Sequence, residues 1–238
     1  MLRVLVTRPE PGADRTAKAL EALGHRPVVL PLTETRPLAM PVRTLPAHID
    51  AVAVTSANAL RHAAPALIER LAALPCHAVG ARTAAAAGAA GFLNVEEGPG
   101  DAQALAARIA TGLAGKAVVY LCGRARFPLF EERLGVAGVH VRPIETYDTV
   151  AVDFSSEEVA ALLDQRPVDV VLLYSAGAAQ AARRLAARPQ LEGLLGKAAV
   201  LALSERVAEA FGPGAEGKVR VAPAPMEGAL LALLPSLE

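Results

Sequence analysis

Two stretches of this chain repeat one another, and that duplication constrains the fold more than any other feature. Asp50-Ala-Val-Ala-Val-Thr-Ser-Ala-Asn-Ala59 aligns with Asp169-Val-Val-Leu-Leu-Tyr-Ser-Ala-Gly-Ala178. In each, an Asp opens a short apolar run that ends in a hydroxyl-bearing residue, a Ser and an Ala-rich stretch. A second matching pair follows: Ala78-Val-Gly-Ala-Arg-Thr-Ala-Ala-Ala86 and Ala202-Leu-Ser-Glu-Arg-Val-Ala-Glu-Ala210. Two similar units predict two similar lobes, and two lobes predict a cleft. At roughly 100–200 residues per domain, 238 residues accommodate two small lobes, each able to bury a core.

Short apolar runs alternate with amphipathic or Ala-rich segments along the whole chain. Strands are expected at Arg3–Val6, Pro27–Leu32, Ala51–Thr55, Cys76–Val79, Lys116–Leu121, Val139–Ile144, Val168–Tyr174, Ala198–Leu203 and Val219–Val221. Helices are expected at 12–23, 57–73, 82–90, 101–112, 127–136, 156–165, 177–187, 205–211 and 226–234. Strands written as continuous Val/Leu/Ala runs are buried on both faces, which indicates parallel sheets in an α/β fold. A coarser repeat of order A-B-A-B also emerges. A is a short strand-helix-strand unit (from Arg3 and from Lys116), and B is the longer unit carrying the Ser motif. The A-to-B connections, Pro31–Pro46 and Pro143–Ser155, read as a double crossing between lobes. The residues themselves leave open which A pairs with which B.

Composition excludes several functions. Formal net charge is zero, which argues against a general nucleic-acid binder that neutralises phosphates with a basic face. Aromatic residues make up only 3% with no Trp, so a base-stacking platform is not expected either. The Arg excess, 20 of 24 basic residues, suits carboxylate recognition but also accompanies a GC-rich genome. Cys76 and Cys122 form no CxxC or Cys/His ligand set, so no metal, disulfide framework or thiol nucleophile is expected. No apolar run reaches the ~20 residues needed to span a bilayer. The first residues read as a buried strand, not a signal peptide, so a soluble cytoplasmic protein is expected.

Ligands of parallel α/β sheets bind beyond the carboxyl ends of the strands. Those ends here carry Thr7-Arg8-Pro9, Thr55-Ser56-Ala57-Asn58, Gly80-Ala81-Arg82-Thr83, Cys122-Gly123-Arg124-Ala125-Arg126, Tyr174-Ser175-Ala176-Gly177 and Ser204-Glu205-Arg206. A helix start offers free N–H groups and partial positive charge, so the set suits a ligand with several carboxylates. Each hydroxyl or amide taken singly also reads as a helix cap. Nucleotide binding is not expected: the first strand-to-helix turn is Thr-Arg-Pro-Glu-Pro-Gly and no GxxxxGK[ST] occurs. Gly98-Pro-Gly100-Asp101 reads as a turn with Asp101 as a helix N-cap.

An ordered set of short motifs resembles the uroporphyrinogen-III synthase family over nearly the whole chain. It comprises Val4-Leu-Val-Thr-Arg-Pro9, Val54-Thr-Ser-Ala-Asn-Ala59, Val79-Gly-Ala-Arg-Thr-Ala84, Leu121-Cys-Gly123 with Arg126, and Gly138-x-x-Val141 leading to Tyr147. Ser175 and Pro225-x-x-Gly228 complete it. The resemblance implies two flavodoxin-like, three-layer parallel-sheet lobes joined by a two-stranded ladder, with the chain crossing twice. One lobe would be 1–34 with 149–238 and the other 35–148, the cleft between them being the active site. It also implies closure of the linear tetrapyrrole hydroxymethylbilane, with loss of water and inversion of ring D, to uroporphyrinogen III. In that reaction an azafulvene-type cation leads through a spiro intermediate, and uncatalysed closure gives the non-inverted isomer.

The resemblance further implies a monomer needing no cofactor or metal, and leaves room for transient contact with the upstream bilane-forming deaminase. Tyr147 would be the proton donor or, alternatively, a ladder residue. Arg8 and Arg126 would meet substrate carboxylates, together with Thr55, Ser56, Asn58, Gly80, Arg82, Thr83, Ser175 and Ser204; Thr83 also reads as a cap. The chain departs from the family at Val207, where a Thr is usual, and at Tyr174, where a Thr or Phe is usual. A non-catalytic two-lobe binding or regulatory protein for a small polycarboxylate is the alternative that the residues permit.

Overall fold

The computed structural model describes residues 1–39, 45–126, 128–212 and 219–234. Residues 40–44 of the first predicted connection, and Phe127 at the start of the predicted helix 127–136, lie outside that set. The chain divides into unit 1, Met1–Glu34 with Val150–Glu238, and unit 2, Thr35–Thr149. Unit 1 carries strands β1 (Arg3–Val6), β2 (Arg26–Val29), β9 (Val170–Leu173), β10 (Ala199–Ala202) and β11 (Val219–Val221). Its helices are α1 (Gly12–Ala22), α7 (Ser156–Leu162), α8 (Ala176–Ala186), α9 (Glu192–Leu195), α10 (Glu205–Phe211) and α11 (Glu227–Leu231). Unit 2 carries β4 (Ala51–Val54), β5 (Pro75–Ala78), β6 (Asn94–Glu97) and β7 (Ala117–Gly123), with most of β3 (Thr33–Pro37) and β8 (His140–Ala151). Its helices are α2 (Ala57–Arg61), α3 (Pro65–Leu71), α4 (Ala81–Ala90), α5 (Ala102–Gly112) and α6 (Leu129–Val136).

The unit 1 sheet runs β11-β10-β9-β1-β2, all parallel. In order of appearance within the unit this is 2-1-3-4-5, the flavodoxin-type winding. The second sheet runs β3-β8-β7-β4-β5-β6, with β4 to β8 parallel. Without β3 its layout is that of unit 1, entered at a different strand: β8 and β7 stand where β2 and β1 stand, and β4, β5, β6 where β9, β10, β11 stand. The first A unit therefore shares a sheet with the second B unit, which settles the pairing that the residues left open.

Alternation along each strand separates two cores per sheet. Val4, Val6, Val170 and Leu172 face one side with Leu20 and Leu230, whereas Leu5, Val171 and Leu173 face the other with Leu163 and Leu185. In unit 2, Val52 and Val54 pack with Ile68 and Leu71, and Ala51 and Ala53 with Leu105 and Leu134. Both faces are covered by helices, giving three layers. Each fully buried Leu contributes on the order of 1.5–3 kcal/mol of transfer energy, so the burial-driven part of the fold was readable from the runs.

The repeated Asp has a registering role. Asp50 N donates to Ala117 O (2.8 Å) and an Asp50 carboxylate oxygen accepts from Ala117 N (2.8 Å). Asp169 does the same with Arg3, at 2.9 and 2.6 Å. Each Asp thus locks the first strand of B against the first strand of A. Arg3, only 7% exposed, stitches β1 to the end of α7 by donating to Leu163 O at 2.7 Å.

Several boundaries differ from expectation. The predicted helix 57–73 is two helices, α2 and α3, because Pro65 starts a second one. The apolar runs predicted neither β3 nor β6; a paired strand at the crossing was implied by the resemblance alone. Both are short, polar edge strands, Thr-Glu-Thr-Arg-Pro and Asn-Val-Glu-Glu, that lack a buried-run signature. The strand β8 extends seven residues past Ile144 to Ala151 because β3 lies along it. The bonds Leu38 N to Thr146 O (2.9 Å) and Val152 N to Leu32 O (3.1 Å) run antiparallel. The predicted turn at Gly98–Gly100 forms, with Gly100 at φ +102°, and the Asp101 side chain caps α5 by accepting from Ala104 N (2.8 Å).

Candidate functional site

In a doubly wound sheet the ligand crevice opens where the strand order reverses. That point lies between β4 and β7 in unit 2 and between β1 and β9 in unit 1. The residues following those strands are Thr55-Ser56, Arg124–Arg126, Thr7-Arg8 and Tyr174-Ser175.

At the unit 2 reversal point lies a cavity of about 430 Å³, whose lining includes Thr55, Ser56, Tyr120, Gly123, Arg126 and Tyr147. Ser56 caps α2, accepting from Asn58 N at 3.2 Å. Tyr147, on β8, donates its hydroxyl to Ser56 Oγ at 3.3 Å. A bulge between Cys122 and Gly123 sets Gly123 opposite Tyr147, and the phenol ring lies over the bare Cα. A Cβ at 123 would sit 2.7 Å from Tyr147 Cζ, so only Gly fits that contact without movement. The ring's other neighbour is His62, stacked at 5.8 Å between centroids, whose Nε2 lies 2.8 Å from Thr35 Oγ1. Burial, then Arg61, lowers the His62 pKa, favouring the neutral ring.

Below this pair Tyr120, 3% exposed, bonds Thr55 Oγ1 through its hydroxyl at 2.7 Å. Burial pushes its phenol up to about 12, which keeps it protonated. Arg126 is held by two carboxylates: Nε donates to Glu131 at 2.6 Å and Nη1 to Glu145 at 2.8 Å. The bond to Glu131 is the largest cause of an Arg126 pKa raised still further, and Arg126 in turn holds Glu145 below its ordinary range. Arg124 adds bonds to Glu145 (3.3 Å) and Asp148 (3.2 Å).

Unit 1 has its own polar cluster at the corresponding place. Arg8 pairs with Glu227 at 3.1 Å and lies 4.2 Å above the Tyr174 ring. The same Glu227 oxygen accepts from Tyr174 OH (3.0 Å) and from the Thr16 hydroxyl. Burial opposes ionisation of Glu227, but the Thr16 hydroxyl, Arg8 and Tyr174 outweigh it, leaving the pKa below the ordinary value. Burial raises Tyr174 to about 12. Tyr174, in place of the family's usual Thr or Phe, thus gains a defined role as a carboxylate donor and cation platform.

The remaining sequence-predicted residues fall into two groups. Ser175 caps α8 by accepting from Ala178 N (3.2 Å), and Ser204 and Gly80 are the N-cap residues of α10 and α4 without side-chain cap bonds. Asn58 accepts from Arg61 (2.8 Å), and Arg82 is exposed. Thr83, 3% exposed, lies on the buried face of α4, and α4 has no side-chain cap, so Thr83 is not one. Val207 holds the equivalent place on α10, 1% exposed within the core. The two differ by a hydroxyl and not in shape, which explains why the chain tolerates Val there. Thr55, Ser56, Arg126 and Tyr147 line the unit 2 cavity; Asn58, Gly80, Arg82 and Thr83 do not. Sequence reasoning passed over Tyr120, Gln103, Arg133 and Glu145; Glu131, whose pair Glu131-Glu132 reads in the sequence as a solvated face, is instead a partner of Arg126. The available signal was Tyr120, an aromatic with a polar tip inside an otherwise aliphatic run.

These features define a class: two doubly wound α/β units of common layout, each with hydroxyl and arginine side chains beyond the strands at its reversal point. The family model described as Uroporphyrinogen-III synthase HemD matches residues 14–232. The chain belongs to the uroporphyrinogen-III synthase family, whose members are cofactor-independent cyclising lyases of tetrapyrrole biosynthesis. Among solved structures it is similar to uroporphyrinogen-III synthetase from Helicobacter pylori, with TM-score 0.70 and 19% identity over all of both chains. It is also similar to a mutant uroporphyrinogen III synthase from the extremely thermophilic bacterium Thermus thermophilus, with TM-score 0.53 and 18% identity, covering all of this chain and 98% of the other. At those identities the structural likeness speaks for the fold. A comparison with curated proteins gives no match. Among the described residues no helix is long and apolar enough to cross a membrane.

Proposed function

We propose that this chain closes hydroxymethylbilane to uroporphyrinogen III at the carboxyl ends of β4 and β7, with Tyr147 as the proton donor to the departing hydroxyl. The observation that carries the reading is the placement of the Tyr147 hydroxyl, on Ser56 Oγ at 3.3 Å in the wall of a 430 Å³ cavity. A phenol hydroxyl is an O–H donor and can give up its proton as the C–O bond breaks. Departure of the protonated hydroxyl as water leaves an azafulvene-type cation beside the Tyr147 phenolate. Attack through the substituted carbon of ring D then requires the chain to be held bent, which is a task of positioning. Tyr120 and Thr55 supply further hydroxyls, and Gly123 lets the phenol approach the backbone.

Recognition of eight carboxylates needs more donors than one crevice offers. We infer that strand ends of both units contribute, through Ser56 and Ser175 at helix starts and through Arg8. Arg8 and Arg126 already have carboxylate partners inside the protein, so a substrate carboxylate must share or displace them. Backbone N–H groups at the helix starts bear the rest of the load. We also infer a cytoplasmic monomer that receives the bilane directly from the upstream deaminase, since a free bilane closes to the wrong isomer unaided.

The test supplies freshly made hydroxymethylbilane and separates the oxidised porphyrin isomers. Wild type should give the inverted isomer, and Tyr147→Phe should lower kcat by roughly 10²–10⁴-fold at similar KM. Wild-type turnover in a folded Tyr147→Phe protein would remove Tyr147 as the acid; product consisting only of the non-inverted isomer would remove the activity.

A further inference from the structure

We propose that Arg133 is the cation through which the unit 2 cavity recognises a carboxylate of its substrate; this rests on the proposed reading that the substrate is a polycarboxylate. Arg133 lies on α6 one turn beyond Leu129, and Leu129, Phe130 and Arg133 all line the cavity together with Tyr147 and Ser56. The two arginines of the cavity wall differ in their partners. Arg126 is neutralised by Glu131 and Glu145. Among the described residues, Arg133 has no carboxylate within ion-pair distance. Its partner is the neutral side-chain amide of Gln103: with that amide turned so that its oxygen faces the guanidinium, the orientation that satisfies both groups, the oxygen accepts from Nη1 at 3.0 Å and Nη2 at 3.1 Å.

Gln103 is itself a cavity residue on α5. Its oxygen occupies, against the guanidinium fork, the place that an incoming carboxylate oxygen would take. Exchanging a neutral acceptor for a carboxylate turns ordinary hydrogen bonds into charge-assisted, bidentate ones. The acidic residue of the lining, Asp101, is turned to the start of α5, where it accepts from Ala104 N. The cavity therefore combines a fixed, internally balanced arginine with a second whose charge is uncompensated, and the second is the recognition element.

Three variants test this. Arg133→Met should raise KM for hydroxymethylbilane roughly 10- to 100-fold, the range for losing a hydrogen-bonded charge, with kcat changed much less. Gln103→Glu places a carboxylate against an intact Arg133. It should hold the helix pair at least as firmly as wild type, yet raise KM, an effect that a merely structural arginine would not produce. Arg108→Met removes one positive charge from the surface and serves as the control, with KM unchanged. Uroporphyrin III, a stable molecule with eight carboxylates, is titrated against each protein and should report the same order of affinities without catalysis. Wild-type KM and uroporphyrin affinity in both Arg133→Met and Gln103→Glu would overturn the assignment while leaving the activity standing. If wild type fails to convert the bilane, the activity reading falls, and uroporphyrin affinity alone then decides the role of Arg133.

Discussion

Replacing Gly123 by Ala isolates the positioning of Tyr147 from its chemistry. The new Cβ would sit 2.7 Å from Cζ and 3.0 Å from both Cε atoms, whereas ordinary contact begins near 3.4 Å. The ring must therefore retreat by about 0.7 Å or more, an overpacking that costs on the order of 1–3 kcal/mol. Retreat is restricted because His62 stacks on the ring and Ser56 receives the hydroxyl at 3.3 Å, already the long end of the useful range. A further displacement of that size breaks the bond to Ser56 and misaims the proton. Misplacement by about 1 Å can cost up to ~100-fold in rate, so kcat should fall about 10- to 100-fold in Gly123→Ala while the phenol remains. The assay is initial-rate formation of the inverted isomer at saturating bilane, with thermal melting to confirm folding. The same substitution made in Tyr147→Ala should cost little more, because no ring is left to push; the double-mutant cycle reads the coupling directly. Equal losses in both backgrounds, or wild-type kcat in Gly123→Ala, would refute the reasoning.

Two further outcomes follow from the same contacts. Asp50 is held below the ordinary aspartate value of 3.8 mainly by the Ala117 N–H, with His48 and Lys116 assisting. A depressed carboxyl contributes stability that is present above that value and lost as pH falls through and below it. Denaturant midpoints should therefore drop on acidification below about pH 4 more steeply in wild type than in Asp50→Asn, and identical slopes would discount the registering bond. Glu227→Ala strands the hydroxyls of Tyr174 and of the fully buried Thr16 without their acceptor. It should destabilise the protein by on the order of 1–3 kcal/mol in chemical unfolding, and an unchanged midpoint would show that the cluster is replaced by water at no cost.

What the sequence disclosed, and what it withheld, divides along physical lines. Burial-driven features were legible: the runs Ala51–Val54 and Val170–Leu173 are buried on both faces, and their repetition exposed the shared layout of the two units. The repeated Asp was visible as a pattern, but its bond to the neighbouring strand is a tertiary fact. Edge strands such as Asn94–Glu97 carry no burial signal and were missed. Caps were legible because Ser56, Ser175 and Asp101 act on the backbone two or three residues away. Ion pairing was not. Arg126 meets Glu145 nineteen residues on, and Arg8 meets Glu227 at the far end of the chain, so two arginines expected to face the substrate were found neutralised. Tyr147 entered through the resemblance alone; the bulge that sets it over Gly123 has no signature in composition or spacing.

The central claim is that the segments following β4 and β7 in unit 2, and β1 and β9 in unit 1, receive the polycarboxylate. Amide hydrogen exchange with and without saturating uroporphyrin III reads it directly. The account predicts slowed exchange at 55–59 and 123–126, and also at 7–9 and 175–178, with the opposite ends of the same strands unaffected. Protection confined to other surfaces, or no protection at these four segments despite bound porphyrin, would contradict it.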